Sequence, residues 1–257
     1  MALIDKLTAI ADSIRAKTGK DDKLTLDEMP VEIAAIETGG GNTDAIRQLI
    51  DGTLTSLYDE EITHIRTRIF GYNDSLKTVE LPNAKTIGMA AFASATALET
   101  VKLDSIETLV VGAQDQQFYQ CTKLKNVSMN NLKVVGAMSF DGCTALKQVY
   151  LPSLTRVGGN GFIRSGLETA HFPVLSSIGT SAFASSKLAT LVLGGNTVVT
   201  LDNVSAFTGT PFASGGAGGT VYCHADLIPE YQTATNWSSL YAAGTCTFVA
   251  IEGSEYE

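Results

Sequence analysis

Val135-Gly-Ala-Met-Ser-Phe-Asp-Gly-Cys-Thr-Ala-Leu-Lys-Gln-Val-Tyr-Leu-Pro152 contains the pattern that organises most of the chain. A Val135-Gly136 pair leads into Phe140, Cys143 follows that Phe, and Leu146, Val149 and Leu151 stand three and then two residues apart. The first half of this frame returns as Ile87-Gly88 to Phe92, Val157-Gly158 to Phe162 and Ile178-Gly179 to Phe183. Aligned on phenylalanine, Phe70, Phe92, Phe118, Phe140, Phe162, Phe183 and Phe207 are separated by 22, 26, 22, 22, 21 and 24 residues. A period near 22 residues is the mark of a solenoid, whose units cannot bury their apolar sides alone and must stack.

The second half of the frame recurs as Leu76-Val79-Leu81, Leu98-Val101-Leu103, Leu124-Val127-Met129, Leu146-Val149-Leu151, Leu167-Ala170-Phe172 and Leu188-Leu191-Leu193. This spacing predicts a turn entering a short strand whose alternation sends the last two apolar residues inward. Pro82, Pro152 and Pro173 fall just after the strand, where a missing amide donor costs little. The fold class predicted is a leucine-rich-repeat solenoid with one short β-strand per coil, a small α-helical N-terminal module and a helical C-terminal cap.

Two places depart from the frame. Between Leu109 and Phe118 the chain carries four extra residues, so the segment 112–117 is expected to loop outward. Thr208 to Thr220 is rich in Gly, Ala and Ser, and the array is expected to end there. Cys121 and Cys143 hold equivalent places in successive coils. They are read as buried free thiols or as a disulfide between coils.

Composition excludes several classes. The net charge of −9 argues against nucleic-acid binding, which requires clustered Lys and Arg. Residues 1–60 carry 6 basic and 12 acidic groups, 61–200 carry 12 and 9, and 201–257 carry 0 and 6. The mildly basic middle is thus a different surface from the two acidic ends. No stretch approaches the roughly 20 apolar residues needed to span a bilayer, so membrane insertion is not expected. Residues 1–17 lack a basic start, an unbroken apolar run and a small-residue cleavage site, so no secretion signal is read there. No catalytic triad, phosphate loop or metal-binding cluster can be assembled, and His64, His171 and His224 lie far apart. An enzyme is not expected, nor any metal or other cofactor.

The frames resemble the BspA-like branch of leucine-rich repeats, whose unit reads roughly I-G-x-x-A-F-x-x-C-x-x-L-x-x-V-x-L-P. Ile87-Gly-Met-Ala-Ala-Phe92 and the quoted stretch to Pro152 match it closely, and the match covers about residues 54–207. That family is known from bacterial surface proteins that bind host cells or matrix and from prophage proteins, so the resemblance implies binding without naming a ligand. Residues 10–19, 23–30 and 33–36 look like the short N-terminal module of phage and prophage tail proteins. Residues 221–240 look like the closing unit of the same proteins. This resemblance implies a virion tail location and other tail proteins as partners.

The domain boundaries read from the sequence are 1–38 for a helical attachment or oligomerisation module, 39–43 for a Gly-rich linker and 44–70 for an N-terminal cap coil. The repeats then run over 71–207 and a C-terminal cap over 208–257. Leu3, Leu7, Ile10 and Ile14 form the stripe of an amphipathic helix, and Met29 and Ile33 sit on a second one. Helices this short need a partner surface. They are expected either to dock on a tail or join copies of the chain, with a trimer favoured, or to pack as a cap on the solenoid. At the far end, Asp226 is expected to start a helix carrying Leu227, Ile228 and Tyr231, with Trp237 and Leu240 sealing the last coil.

Binding is expected on the outward residues of the strands. Glu80, Lys102, Ser128, Tyr150, His171 and Val192 form one ladder, flanked by Thr78, Thr100, Asn126, Gln148, Thr169 and Thr190. Glu80, Lys102, Ser128, Gln148, Tyr150, Thr169 and His171 are the candidate ligand-binding residues. Hydroxyls and amides beside aromatic faces suit a bacterial cell-surface glycan or wall polymer, and the basic middle suits an anionic one such as a teichoic acid. Three functions compete: a phage or prophage tail protein that recognises a bacterial surface, a bacterial surface adhesin, and a purely structural tail component.

Overall fold

A computed structural model describes residues 53–109 and 115–257. Within them the chain winds as a β-solenoid of short parallel strands closed by a small helical unit. The front side of the coil carries β1 (Ser56–Tyr58), β3 (Thr78–Glu80), β5 (Thr100–Lys102), β6 (Asn126–Ser128), β8 (Gln148–Tyr150), β10 (Thr169–His171) and β12 (Thr190–Val192). A second side carries the two-residue strands β2 (His64–Ile65), β4 (Thr86–Ile87), β7 (Val134–Val135), β9 (Arg156–Val157), β11 (Ser177–Ile178) and β13 (Thr200–Leu201). Each front strand places a β-branched or aliphatic residue inward, from Leu57 through Val79 and Val101 to Leu191, as the alternation requires.

The third side is the turn around each phenylalanine. Its N–H donates to the carbonyl of the residue before the next phenylalanine, as in Phe118 to Gln117's counterpart Ser139, at 2.8–2.9 Å along the whole array. The rings from Phe70 to Phe207 stack with centroids 5.0–5.8 Å apart and planes within 14° of parallel. Every one of them is buried. The turn is tight because it places a left-handed residue on each side of the ring. Two positions before it, Arg68, Ala90, Gln116, Met138, Asn160 and Ser181 have φ of 51–59°.

A non-glycine residue pays about 1–2 kcal/mol for that conformation. The cost is offset at four of these residues by an N–H bond to the next coil: Arg68 to the Met89 carbonyl at 3.1 Å, Ala90 to Asp115 at 2.9 Å, Gln116 to Ala137 at 3.2 Å and Asn160 to Thr180 at 3.1 Å. The glycine of the repeated frame answers a different need. A Cβ at Gly88 would collide with the backbone of Thr67, and one at Gly136 with the Leu109 carbonyl and the Asp115 carboxylate.

Several expectations are corrected. The extra residues after Leu109 do not loop outward as far as Gln117, because Asp115 and Gln117 are 1% and 0% exposed. Asp115 takes the position held by Met89 and Ala137, and its carboxylate accepts the Ala137 N–H at 2.8 Å. The Gln117 side-chain oxygen accepts from Ser139 Oγ at 3.0 Å. Residues 112–114 of that expected loop lie outside the described residues.

The front sheet also does not end near Phe207. It continues through β14 (Gly219–Cys223) and β15 (Cys246–Ala250), parallel to β12. The Gly-rich stretch before β14 is one more turn, with Phe212 packed on Phe207 at 4.7 Å between centroids. Beyond β14, α1 (Ile228–Thr233) begins behind a 3-10 turn (Ala225–Leu227), later than a start at Asp226. With α2 (Trp237–Ala242) it seals the solenoid end. There Trp237 Nε1 donates to the Val199 carbonyl at 2.7 Å and the Val199 N–H donates to the Tyr231 hydroxyl at 3.0 Å.

Cys121, Cys143, Cys223 and Cys246 are all free and buried. The thiols of Cys121 and Cys143 donate to the carbonyls of Phe92 and Phe118, at 3.0 and 3.1 Å, and are not bonded to one another. Leu54, Leu57, Ile62 and Ile65 are buried in the first described coil, with Ile69 partly buried against them. The attachment residues Leu3, Leu7, Ile10, Ile14, Met29 and Ile33, the linker at 39–43 and the first part of the cap coil lie outside the described residues. Among the described residues no helix is long and apolar enough to cross a membrane.

Candidate functional site: the front face and its cleft

Parallel register aligns the outward side chains of the front strands into two rows. One runs Ser56, Thr78, Thr100, Asn126 and resumes Gln148, Thr169, Thr190, Thr220, Thr247. The other runs Tyr58, Glu80, Lys102, Ser128 and resumes Tyr150, His171, Val192, Tyr222, Val249. Both rows are interrupted at one place. The front strands form two separate sheets, β1-β3-β5-β6 and β8-β10-β12-β14-β15, and β6 is not hydrogen-bonded to β8.

Elsewhere the residue just before a strand and the strand's first residue share one carbonyl of the preceding coil. Lys125 and Asn126 donate to the Glu99 carbonyl at 2.9 and 3.1 Å, and Glu168 and Thr169 donate to the Lys147 carbonyl at 2.7 and 3.1 Å. The corresponding bonds from Lys147 and Gln148 to the Lys125 carbonyl are missing, as is one from Met129 to the Tyr150 carbonyl. The other two sides of the same coils stay closed. Phe118 donates to Ser139 and Thr155 to Lys133, each at 2.8 Å. The opening is a wedge confined to the front.

The wedge coincides with a like-charge step along the coils. The residues preceding the front strands read Lys77, Glu99, Lys125, Lys147, Glu168 along the coils. Stacked at about 4.8 Å, alternating signs attract and like signs repel. The step from Lys125 to Lys147 is the one like-charge step of this row. There each lysine turns away, Lys125 to Glu99 at 3.2 Å and Lys147 to Glu168 at 2.6 Å. The Glu168 carboxyl is held below the usual range by that bond and by the ammonium charge.

A cleft of about 620 Å³ opens here. That lies within the ~300–1,000 Å³ of small-molecule pockets. Its polar lining is hydroxyls and amides, among them Thr100, Ser128, Asn126 and Gln148, with Lys102 and Lys125 at the rim. Its aromatic lining is Tyr150, His171 and Tyr256. Tyr150 is 54% exposed and meets the His171 ring at 4.9 Å, while Tyr256 packs on His171 at 6.3 Å and on Tyr222 at 4.8 Å. Burial holds the His171 imidazole below its usual pKa, so it is neutral at neutral pH. A neutral ring carries one N–H donor and one acceptor nitrogen.

Six of the seven expected binding residues come together at this cleft: Lys102, Ser128, Gln148, Tyr150, Thr169 and His171. Glu80 stands outside it and pairs with Lys102 at 3.0 Å. Val192, expected outward, is buried. It lies between His171 and Tyr222 in the row, and Tyr256 rests on both of those rings. Lys125, Asn130 and Tyr256 were missed. Nothing local marks Tyr256, since it belongs to the segment after β15 and reaches the face only through folding. Lys125 was legible by aligning the pre-strand position.

The described residues show no grouping of three His, Cys, Asp or Glu side chains able to hold a metal ion. The family model for the BspA type leucine-rich repeat region matches the sequence in 6 copies, over residues 63–190 and 112–212. Among solved structures, the chain is similar to a leucine-rich repeat protein from Bacteroides ovatus, with 22% identity and a TM-score of 0.46. That similarity covers 65% of this chain and 48% of the other, so the chain spans about half the length of that protein. No curated protein matches the sequence. The repeats seen in the spacing, the stacked coils and the family match over residues 63–212 agree: the chain belongs to the BspA-type leucine-rich repeat family.

Proposed function

We propose that the chain is an adhesion-type recognition protein whose front face binds a macromolecule at a cell surface. The observation that carries this reading is the convergence of six outward strand residues from four coils on one cleft. Such a surface is what stacked repeats offer and a single coil cannot. It gathers aromatic faces, amides and hydroxyls, and no nucleophile with an adjacent base, so binding without catalysis and without a cofactor is the reading we adopt. The membership in the BspA-type family supports a surface or adhesion role in preference to a structural one. We take the ligand to be a glycan or wall polymer.

A second reading places the same face on a phage or prophage tail protein, with residues 1–38 as the attachment module and a homo-oligomer, favoured as a trimer, as the assembly. It rests on the resemblance of residues 10–36 and 221–240 to tail proteins. Finding the chain in purified phage particles favours this second reading; finding it on the outer surface of the producing bacterium favours the adhesin.

The proposal is tested by adsorption of fluorescently labelled full chain to intact bacterial and host cells. Tyr150→Ala combined with His171→Ala is expected to weaken adsorption roughly tenfold or more, the effect of losing aromatic anchors. Unchanged adsorption with both rings removed refutes the assignment of the face.

A further inference from the structure

We infer that the wedge between β6 and β8 is a subsite for a single uncharged pyranose ring of a cell-surface saccharide. The inference rests on the recognition reading above and adds to it the place and the chemical class of the ligand.

The backbone is the first reason. The facing edges of β6 and β8 leave a donor and acceptors along the cleft: the Gln148 N–H on one wall, the Lys125 carbonyl on the other, and the Tyr150 carbonyl beyond them. The amides of Asn126 and Gln148 and the hydroxyl of Thr169 add groups of both kinds. A ligand satisfying such a mixed lining must itself donate and accept at several points. Vicinal hydroxyls do so; a phosphodiester or sulfate can only accept. The ring faces of Tyr150 and Tyr256 supply the apolar surface on which the C–H face of a pyranose rests.

Shape excludes the chief rival, an extended peptide completing the sheet. Inserting a strand requires β6 and β8 to stand two strand spacings apart, about 9.6 Å. The same two coils are tied at 2.8 Å by Phe118 to Ser139 and by Thr155 to Lys133, with Phe118 and Phe140 stacked at 5.2 Å. A wedge hinged on those bonds admits a small ring at its mouth.

Charge selects the neutral sugar. The rim lysines carry partners already, Lys102 with Glu80 and Lys125 with Glu99, so the positive charge at the cleft itself is already matched by carboxylates.

The test titrates the full chain with methyl glycosides of glucose, galactose and N-acetylglucosamine, with the methyl glycoside of glucuronic acid, and with a library of extended peptides. At least one neutral glycoside is expected to bind. Tyr150→Ala and Gln148→Ala, both at exposed positions, are expected to weaken that binding roughly tenfold, whereas Arg156→Ala on the second side leaves it unchanged. A closing variant, Lys147→Glu with Glu168→Lys, restores alternation along Glu99, Lys125, 147 and 168, and is expected to abolish binding while the chain stays folded by circular dichroism. Binding by peptides alone, tighter binding of the glucuronide, no neutral glycoside bound, or variants that bind normally each overturn the inference. Cell adsorption measured in parallel separates the two claims. Adsorption that persists without glycoside binding removes the subsite and leaves the recognition face; glycoside binding without adsorption to any cell removes the recognition role.

Discussion

Replacing Phe140 with Ala removes the middle ring of a continuous aromatic stack and should be strongly destabilising. The side chain is fully buried, with Phe118 at 5.2 Å on one side and Phe162 at 5.0 Å on the other. Truncating a buried Phe to Ala typically costs about 3–5 kcal/mol through lost transfer energy and the cavity left behind. Each ring pair adds ~0.5–1.5 kcal/mol beyond burial. Two pairs are lost here, so the expected destabilisation is about 4–8 kcal/mol.

Phe140→Leu retains most of the apolar volume and loses mainly the ring contacts, for roughly 1–3 kcal/mol. Phe70 begins the stack and has one ring neighbour, Phe92 at 5.0 Å. Its truncation should therefore cost ~1 kcal/mol less than that of Phe140. Urea unfolding followed by far-ultraviolet circular dichroism gives all three values. Its slope also reports whether loss of the central ring uncouples the two halves, since stacked repeats interact only with their neighbours. A Phe140→Ala cost below about 2 kcal/mol, or a Phe70→Ala cost equal to or larger than it, would refute the picture of a cooperative ring ladder.

The thiols and histidines give further checks. Burial pushes the Cys121 thiol up to about 12 and Cys246 likewise to about 12, and raises Cys143 well above its usual value. All four cysteines should therefore resist iodoacetamide at pH 8 in the folded chain and react stoichiometrically in urea; rapid native alkylation of Cys121 or Cys143 would contradict their burial. His224 is held above its ordinary 6.5 by hydrogen bonds to Glu252 and the Gly194 carbonyl, whereas burial holds His171 below 6.5. The His224 contribution is thus full below pH 6.5 and fades as pH rises through its elevated value, while that of His171 is full above pH 6.5 and fades on acidification. Titration by NMR should resolve two imidazoles on opposite sides of 6.5, and Glu252→Gln should lower only the His224 value; a common value for both rings contradicts the geometry.

The sequence made the core legible because stacking repeats the same demand in every coil. Phe92, Phe118 and Phe140 sit at one position because each ring must meet the next, and the close approach of the neighbouring coil, which leaves no room for a Cβ, is why Gly88 and Gly136 recur. The C-terminal strands escaped because Gly219–Cys223 and Cys246–Ala250 lack the preceding Leu of the frame and follow a Gly-rich turn and a helical unit. Their own alternation, Val221 with Cys223 inward and Phe248 below, was too short to read alone. Of the candidate site, the outward strand residues followed directly from period-two alternation. The cleft did not, because it arises from bonds that fail to form between β6 and β8 and from Tyr256, which arrives from the end of the chain.

That the front face, and not another side of the solenoid, meets the cell surface can be measured by hydrogen–deuterium exchange of the full chain with and without isolated cell-wall or matrix fragments that adsorb it. The account predicts slowed exchange in 100–102, 126–130, 148–150 and 169–171, with 156–157, 177–178 and 200–201 unchanged. Protection concentrated on that second side, with the four front segments exchanging as in the free chain, would contradict it.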